Sequence, residues 1–438
     1  MKADKTPVVS KKFLLPFILI TSLFALWGFA NSVTDPMVQA FKKVLELSNS
    51  QAAGVQMAFY GGYFCMALPA ALFVRKYSYK TGVLIGLGLY AVGALMFYPA
   101  ATTEKFWFFC LGLYILTFGL AFLETTANPY ILAMGSKETA TRRLNLAQVF
   151  NPVGLLLGLL VAQQFVLKKL ESDDLENFNS LAEAKKAFIR TSDLMVIRNP
   201  YVVLGFTILI VFFIILVSKM PQAKGEGKIP SIGDTFRKLF ENKKYVLGVI
   251  AQMFYVGAQI MCWTYIYQYA EAIGMKSEVA ANYQFVAFAL FLGGRAVGTW
   301  MLKYIIPSKL LMYFGVLAVF CTLGTIFSRG EFGLMSLVGV SFCMSVMFPT
   351  IYGIALDGLS EDESKIGAAG LVMAIVGGAL MPAFQGMVID IGGNAVNDIQ
   401  IMGFPEVNIS FILPLVCFVY IISYGFWITK QGVYEVNG

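Results

Sequence analysis

The chain has 438 residues, of which 58% are hydrophobic and only 13% are charged. A soluble globular protein carries roughly 25% charged residues, so this composition argues against a soluble enzyme and for a protein that crosses a membrane many times. The net charge of +7 is typical of the Lys and Arg that membrane proteins keep in cytoplasmic loops, and it predicts no nucleic-acid partner.

Apolar stretches of about 20 residues recur along the whole chain, and each is long enough to cross a bilayer as a helix. They predict an all-α membrane protein with twelve transmembrane helices. The predicted spans are residues 13–41, 51–74, 82–101, 106–134, 144–166, 200–219, 245–270, 280–302, 309–328, 332–356, 367–390 and 409–429.

Lys and Arg are distributed unevenly between the two sides of this array. The side that carries the N-terminus and the central loop at about 220–244 holds 21 of them over all its loops, whereas the opposite side holds 11, mainly in loop 167–199. The positive-inside rule therefore predicts that both termini are cytoplasmic. In a bacterial host the protein is expected to be a multi-pass protein of the inner (plasma) membrane.

The central loop divides the chain into two halves of six spans each. Residues 127–135 (ANPYILAMG) and 347–358 (MFPTIYGIALDG) occupy matching positions late in the fourth span of each half. Parallel six-span repeats are typical of major facilitator transporters. We therefore predict two six-helix bundles, residues 1–219 and 245–438, joined by a cytoplasmic loop at 220–244.

Glu124 is the only charged residue between Phe106 and Met134. A carboxylate at membrane depth costs several kcal/mol and usually has a function. Asp35, late in the first span, is a second candidate, although it is also compatible with a helix end near the outer surface. A structural ion pair between Glu124 and Arg295 is the alternative to a functional carboxylate. Arg295, which lies among glycines, is expected to act as a conformational latch near the cytoplasmic end.

Amides and aromatic rings accompany these carboxylates at helical spacing. Asn128 lies one turn after Glu124, and Gln148 and Asn151 share a stripe with Asn145. The candidate binding residues are Trp27, Asn31, Asn128, Gln148, Asn151, Gln259, Trp263 and Asn282. Amides in lipid also hydrogen-bond neighbouring helices, which is the alternative for each residue alone. Together they favour a sugar site, because hydroxyls need hydrogen bonds and C–H faces stack on rings.

The sequence does not contain the residues and motifs that several kinds of catalysis and metal binding require. The chain has no histidine, its six cysteines lie singly in apolar runs, and no nucleotide-binding P-loop or metal-ligand cluster is present in the sequence. We therefore predict neither an enzyme nor a metal site nor a disulfide framework. Protons are the only coupling ion expected, and no cofactor is predicted.

Several strings, among them LWGFANSVTD (26–35), LETTANPY (123–130), RLNLAQVFNPVG (143–154) and GRAVGTW (294–300), resemble the L-fucose–proton symporter family of the major facilitator superfamily. The resemblance implies that Asp35 takes part in proton translocation and that Glu124 couples protonation to substrate binding or conformational change. It also implies that Gln148 and Asn151 lie in a sugar cavity. Arg75 falls in the basic stretch RKYSYKTG between spans 2 and 3, for which a conformational role is expected.

The expected function is proton-coupled import of a monosaccharide, L-fucose first, by a monomer in the lipid bilayer. Alternatives are a glucose/galactose or amino-sugar transporter of the same family and an uncoupled sugar uniporter. A dry cavity disfavours the charged form of Glu124. Protonation would remove that penalty and let the two bundles rock around a site near the membrane midplane.

Overall fold

The computed structural model describes residues 7–45, 49–171, 182–221, 231–391, 399–401 and 403–432. Within these ranges the chain is almost entirely helical, as predicted. The only β-structure among the described residues is a two-stranded antiparallel pair, β1 (Gln400–Ile401) and β2 (Phe404–Pro405).

The first half of the chain contains eight α-helices. A 3-10 turn precedes the first of them, and a π-helical segment (Ala162–Val166) and a 3-10 turn follow the seventh. The helices are α1 Leu14–Val44, α2 Asn49–Lys76, α3 Tyr79–Leu95, α4 Phe97–Thr103, α5 Phe106–Ala133, α6 Ala140–Gln148, α7 Phe150–Val161 and α8 Glu183–Val217.

The second half begins with a short helix and continues with longer ones; a 3-10 turn at Ala374–Val376 joins two of them. The helices are α9 Ile232–Glu241, α10 Lys243–Thr264, α11 Ile266–Ala272, α12 Ser277–Met301, α13 Pro307–Phe327, α14 Glu331–Met344, α15 Met347–Leu356, α16 Glu361–Met373, α17 Gly377–Ile389, α18 Glu406–Ser410 and α19 Ile412–Lys430.

Eleven helical stretches in the described residues are long and apolar enough to cross a membrane. The predicted eighth span corresponds to α12, a helix of 25 residues that is not among the eleven. Asn282, Gln284 and Arg295 lower the mean hydropathy of this helix. The count of twelve spans therefore stays a prediction.

Two features differ from the predicted spans. Helix α8 begins at Glu183, so much of the predicted loop 167–199 is helical; the apolar run from residue 200 marks only its lipid-compatible part. Six predicted spans are also interrupted: the breaks lie between α3 and α4, α6 and α7, α10 and α11, α14 and α15, α16 and α17, and α18 and α19. The breaks before α4, α7 and α15 each lie a few residues before a proline (Pro99, Pro152 and Pro349), whose ring and missing N–H disturb the preceding helical turn.

Helices α1 and α7 approach each other closely through glycines. A Cβ atom at Gly154 would lie 1.9 Å from the carbonyl oxygen of Ala25, and one at Gly28 would lie 2.0 Å from that of Asn151. Small residues allow helix backbones to pack this tightly in membranes. The contact fixes the polar residues of α7 beside those of α1.

Replacing Gly154 by Ala should therefore destabilise the protein by about 1–3 kcal/mol, because the added methyl has no room. Thermal unfolding in detergent should show a lower transition temperature for G154A. The control is G88A, since a Cβ at Gly88 meets no atom within 4 Å. Equal transition temperatures for the two variants would contradict the close packing of α1 on α7.

Candidate functional site

A cavity of about 140 Å³ lies between the two halves of the chain. One buried water needs only about 10–15 Å³, so the space suits a larger guest. Helices α1, α2, α5, α6 and α7 line it from the first half, and α10, α12, α15 and the 3-10 turn after α16 line it from the second.

The structure brings most of the predicted site residues together around this cavity. The predicted residues that line it are Trp27, Asn31, Glu124, Asn128, Gln148, Asn151, Gln259, Trp263 and Arg295.

Three predicted residues do not belong to that group. Asn282 is exposed on α12 and does not line the cavity, because it lies near the start of that helix, away from Arg295. Arg75 lies at the end of α2. Asp35 is part of α1, but its side chain falls outside the part of the structure that is described.

Glu124 presents its carboxylate to the cavity. The Tyr63 hydroxyl donates a hydrogen bond to its Oε1 atom over 3.4 Å. Its Oε2 atom has no hydrogen-bond partner among the described residues. Within the same residues Glu124 makes no ion pair, so the structure does not contain the alternative pairing with Arg295. One carboxylate oxygen is therefore left for a proton or a guest.

Arg295 lies on the cavity wall, 2% exposed and six residues before the end of α12, and its role as a conformational latch stays a prediction. Its Nη1 atom donates to the backbone oxygen of Gln148 over 3.1 Å and to the Oε1 atom of Gln148 over 3.3 Å. Gln148 in turn donates from Nε2 to Oδ1 of Asn128 over 3.0 Å. These bonds connect α12 of the second half to α5 of the first, one turn from Glu124.

Aromatic rings form the apolar part of the lining. Trp263 donates its ring N–H to the Ser341 hydroxyl over 3.1 Å, which fixes the ring, and its ring meets Phe288 and Phe291 edge to face. Trp27 packs against Phe24, and its ring N–H has no partner among described atoms. The cavity thus combines ring surfaces with polar atoms that are not used within the protein.

Three tyrosines that line the cavity were not predicted: Tyr60, Tyr63 and Tyr255. Tyr63 donates to Glu124, and Tyr255 lies on the wall contributed by α10. Tyr255 precedes Gln259 by four residues, so the same periodicity that selected Gln259 and Trp263 could have found it. No comparable pattern in the sequence identifies Tyr63, because no series of amides at helical spacing includes it on α2.

The polar stripes continue beyond the cavity. Asn145 donates to the Thr350 hydroxyl over 3.2 Å and so joins α6 to α15 instead of lining the space. Gln252 and Tyr267, which share a helix face with Gln259 and Trp263, also lie outside the cavity: Gln252 is fully buried and Tyr267 is 38% exposed. Asn145 therefore only bonds neighbouring residues, whereas Gln148 and Asn151 of the same stripe bond neighbouring helices and also line the cavity.

The two halves also meet at the end of the helix array that carries Val8, Arg75 and Asp362, which we call the N-terminal side. Arg75 binds Asp362 through two contacts, Nε to Oδ1 at 2.8 Å and Nη2 to Oδ2 at 2.6 Å. Lys365 lies over the ring of Tyr79 at 5.0 Å. These contacts join α2 and α3 to α16 and close this side of the cavity.

Comparison with known proteins gives a consistent result. The sequence profile described as Major Facilitator Superfamily matches residues 18–384. An L-fucose-proton symporter of Haemophilus influenzae is 56% identical over 96% of this chain and 97% of its own length. A glucose/galactose transporter of Brucella abortus is 30% identical over 93% of this chain and 92% of its own length.

The solved structures agree. A crystal structure of the Major Facilitator Superfamily transporter FucP in the outward conformation matches with a TM-score of 0.85 and 32% identity. The match covers 95% of this chain and 99% of the other.

Proposed function

This chain belongs to the Major Facilitator Superfamily, and on that premise we propose that it imports a monosaccharide together with a proton by alternating access. L-fucose is the proposed sugar, since the relative with 56% identity is named for it. The proposal places twelve spans in two bundles, residues 1–219 and 245–438, around the cavity. The transporter works as a monomer in the inner membrane with cytoplasmic termini, and it uses no cofactor besides the coupling proton.

One observation carries the proposal: an unpaired carboxylate and a sugar-compatible lining share one cavity between the halves. A neutral sugar offers hydroxyls and C–H faces. Amides on α1, α6, α7 and α10 can exchange hydrogen bonds with the hydroxyls, while the rings of Trp27 and Trp263 cover the C–H faces. A sugar that fills this space displaces water from beside Glu124 and so disfavours its ionised form, and for that reason loading a proton and loading a sugar favour each other.

Residue roles follow from these positions. Glu124 holds the coupling proton beside the sugar, and Tyr63 orients the carboxylate. Asn31, Asn128, Gln148, Asn151 and Gln259 bind hydroxyls. Asp35, whose side chain lies outside the described residues, is proposed from the family resemblance alone as the group that exchanges protons with the periplasm.

The contacts on the N-terminal side support an outward-facing state, with that side in the cytoplasm. Arg75 and Asp362 have side chains only 6% and 20% exposed, so separating the halves there requires each charge to be hydrated anew. Breaking a largely buried pair by removing one partner costs about 3–5 kcal/mol. The pair is therefore proposed to hold the cytoplasmic gate closed until loading.

We expect D362N to weaken this closure and to lower sugar uptake, whereas the charge-reversed pair R75D/D362R should restore part of it. Initial uptake rates in whole cells measure both variants. E138Q, which alters an exposed carboxylate of the same membrane side, is the control and should behave as wild type. If the reversed pair were no better than D362N, the gate would not depend on mutual attraction of the two charges.

The proposed function is tested by sugar-induced alkalinisation of lightly buffered cells that make this protein. L-fucose, D-galactose, D-glucose and N-acetylglucosamine are added in turn. A rise in external pH with L-fucose is the expected result. A rise only with D-glucose or D-galactose would support the alternative suggested by the Brucella relative. Uptake of labelled sugar that produces no pH change and survives an uncoupler would overturn symport and indicate a uniporter.

A further inference from the structure

Helix α9 has three distinct faces, although it has only ten residues. Thr235 and Leu239 are 0% and 2% exposed, and they form the face that packs on α10 and α16. Arg237 and Glu241 form the opposite, polar face, where an ion pair of 3.8 Å joins two side chains that are about 70% exposed.

Between these two faces runs an apolar stripe. Ile232, Phe236 and Phe240 recur at steps of four, so they lie on one side of the helix. Ile232 is 50% and Phe240 is 74% exposed. The rings of Phe236 and Phe240 lie nearly parallel, 6.5 Å apart. Large adjoining apolar side chains exposed together mark a surface that another apolar phase covers.

The position of α9 identifies that phase. Only Asn242 separates the end of α9 from the start of α10, a membrane-crossing helix. The side chain of Asn242 caps α10 by accepting from the Tyr245 N–H over 3.2 Å. This cap fixes α9 at the level where α10 enters the bilayer. The apolar stripe therefore lies next to the start of a membrane-crossing helix.

We propose that α9 lies in the interface of the bilayer, with Ile232, Phe236 and Phe240 inserted among the upper acyl chains. Its Arg237–Glu241 face then contacts water, and its Thr235–Leu239 face contacts the protein. An amphipathic helix at this depth gains free energy from each apolar side chain that it buries in lipid. The inference concerns a surface that lies outside the cavity.

One ion pair connects α9 to the helix that carries Asp362, the gate residue on α16. Lys238 Nζ lies 3.4 Å from Glu363 Oε1, and Glu363 completes the capping box that begins α16 with Ser360. The neighbouring residue of α16, Asp362, binds Arg75. A docked α9 therefore holds the start of α16 in the position that closes the N-terminal side.

Tryptophan quenching in reconstituted bilayers tests the docking. The full-length variant F240W is placed in phosphatidylcholine vesicles whose lipids carry bromine near the top of the acyl chain. Emission above the wild-type background should fall by about half, as expected for a ring at the acyl boundary. The control R237W, on the water-facing side one turn away, should show red-shifted emission that bromine does not quench.

Unquenched F240W emission would overturn the proposal. Red-shifted emission would then mean that the stripe faces water. Blue-shifted emission would mean that protein covers it, either another segment of this chain or a second copy. Retained sugar uptake confirms that F240W and R237W fold, and I232W, at the other end of the stripe, replaces F240W if that variant does not.

Discussion

Replacing Glu124 by Gln is expected to abolish uphill sugar accumulation and to leave sugar exchange intact. Glutamine has the shape of a protonated glutamate, and Tyr63 can still donate to its side-chain oxygen. Glutamine cannot release a proton. The variant can therefore still bind sugar and carry it across the membrane, but it cannot complete the step that requires a deprotonated carboxylate. One charge moving across 100 mV supplies about 2.3 kcal/mol, which sustains roughly a 40-fold accumulation when one proton accompanies each sugar. The E124Q ratio should fall to about one.

The measurement compares the steady-state accumulation of labelled sugar with sugar–sugar exchange in vesicles that contain the same amount of protein. E138Q is the control, because it removes a carboxylate from the loop after α5 without touching the cavity. Y63F separates orientation from proton transfer: it should reduce accumulation without abolishing it, since only the 3.4 Å hydrogen bond is lost. Full accumulation by E124Q would return Glu124 to a structural role.

Replacing Arg295 by Met is expected to weaken sugar binding by about 10- to 100-fold. Hydrogen bonds to charged groups contribute about 1.5–3 kcal/mol, and Arg295 makes two of them to Gln148. Without them Gln148 loses the partner that orients its Oε1 atom, and the connection to Asn128 weakens. R295K should fall between R295M and wild type, because it keeps the charge but has no guanidinium fork.

A double-mutant cycle with R295M and Q148L shows whether the two residues act together. Binding is measured by isothermal titration with purified protein, and thermal unfolding is recorded alongside. We expect the double variant to bind sugar about as weakly as either single variant. Each single substitution already removes the hydrogen bond between the Arg295 guanidinium and the side chain of Gln148. R237M, which alters an exposed arginine on α9, is the control. Strictly additive losses would mean that Arg295 contacts sugar without positioning Gln148.

The two predictions address different parts of one event. In the proposed mechanism Glu124 holds the coupling proton. The bonds from Arg295 through Gln148 to Asn128 cross from the second half to the first. If sugar hydroxyls bind the same amides, as proposed, loading the cavity changes the bonds that join the halves there. We propose that separation of Arg75 from Asp362 is a later and energetically distinct step.

The sequence by itself determined the class of protein and the position of nearly every membrane helix. Hydropathy is a local property, and a bilayer demands about 20 apolar residues wherever a helix crosses it. The same reasoning singled out Glu124, because a charge in such a run is conspicuous without any knowledge of its neighbours. Helix periodicity also placed Asn128 on the face of Glu124 and Trp263 on the face of Gln259.

Only the tertiary structure decided which members of each stripe line the cavity. Periodicity specifies a face of a helix, but depth along that face depends on where other helices cross it. Asn145 and Gln148 share a stripe, yet Asn145 meets Thr350 while Gln148 meets Arg295. The partner of Arg295, the backbone oxygen of Gln148, is 147 residues away along the chain, so sequence reasoning did not find this contact. Contacts between the halves depend on how distant segments pack, which no local pattern of residues records.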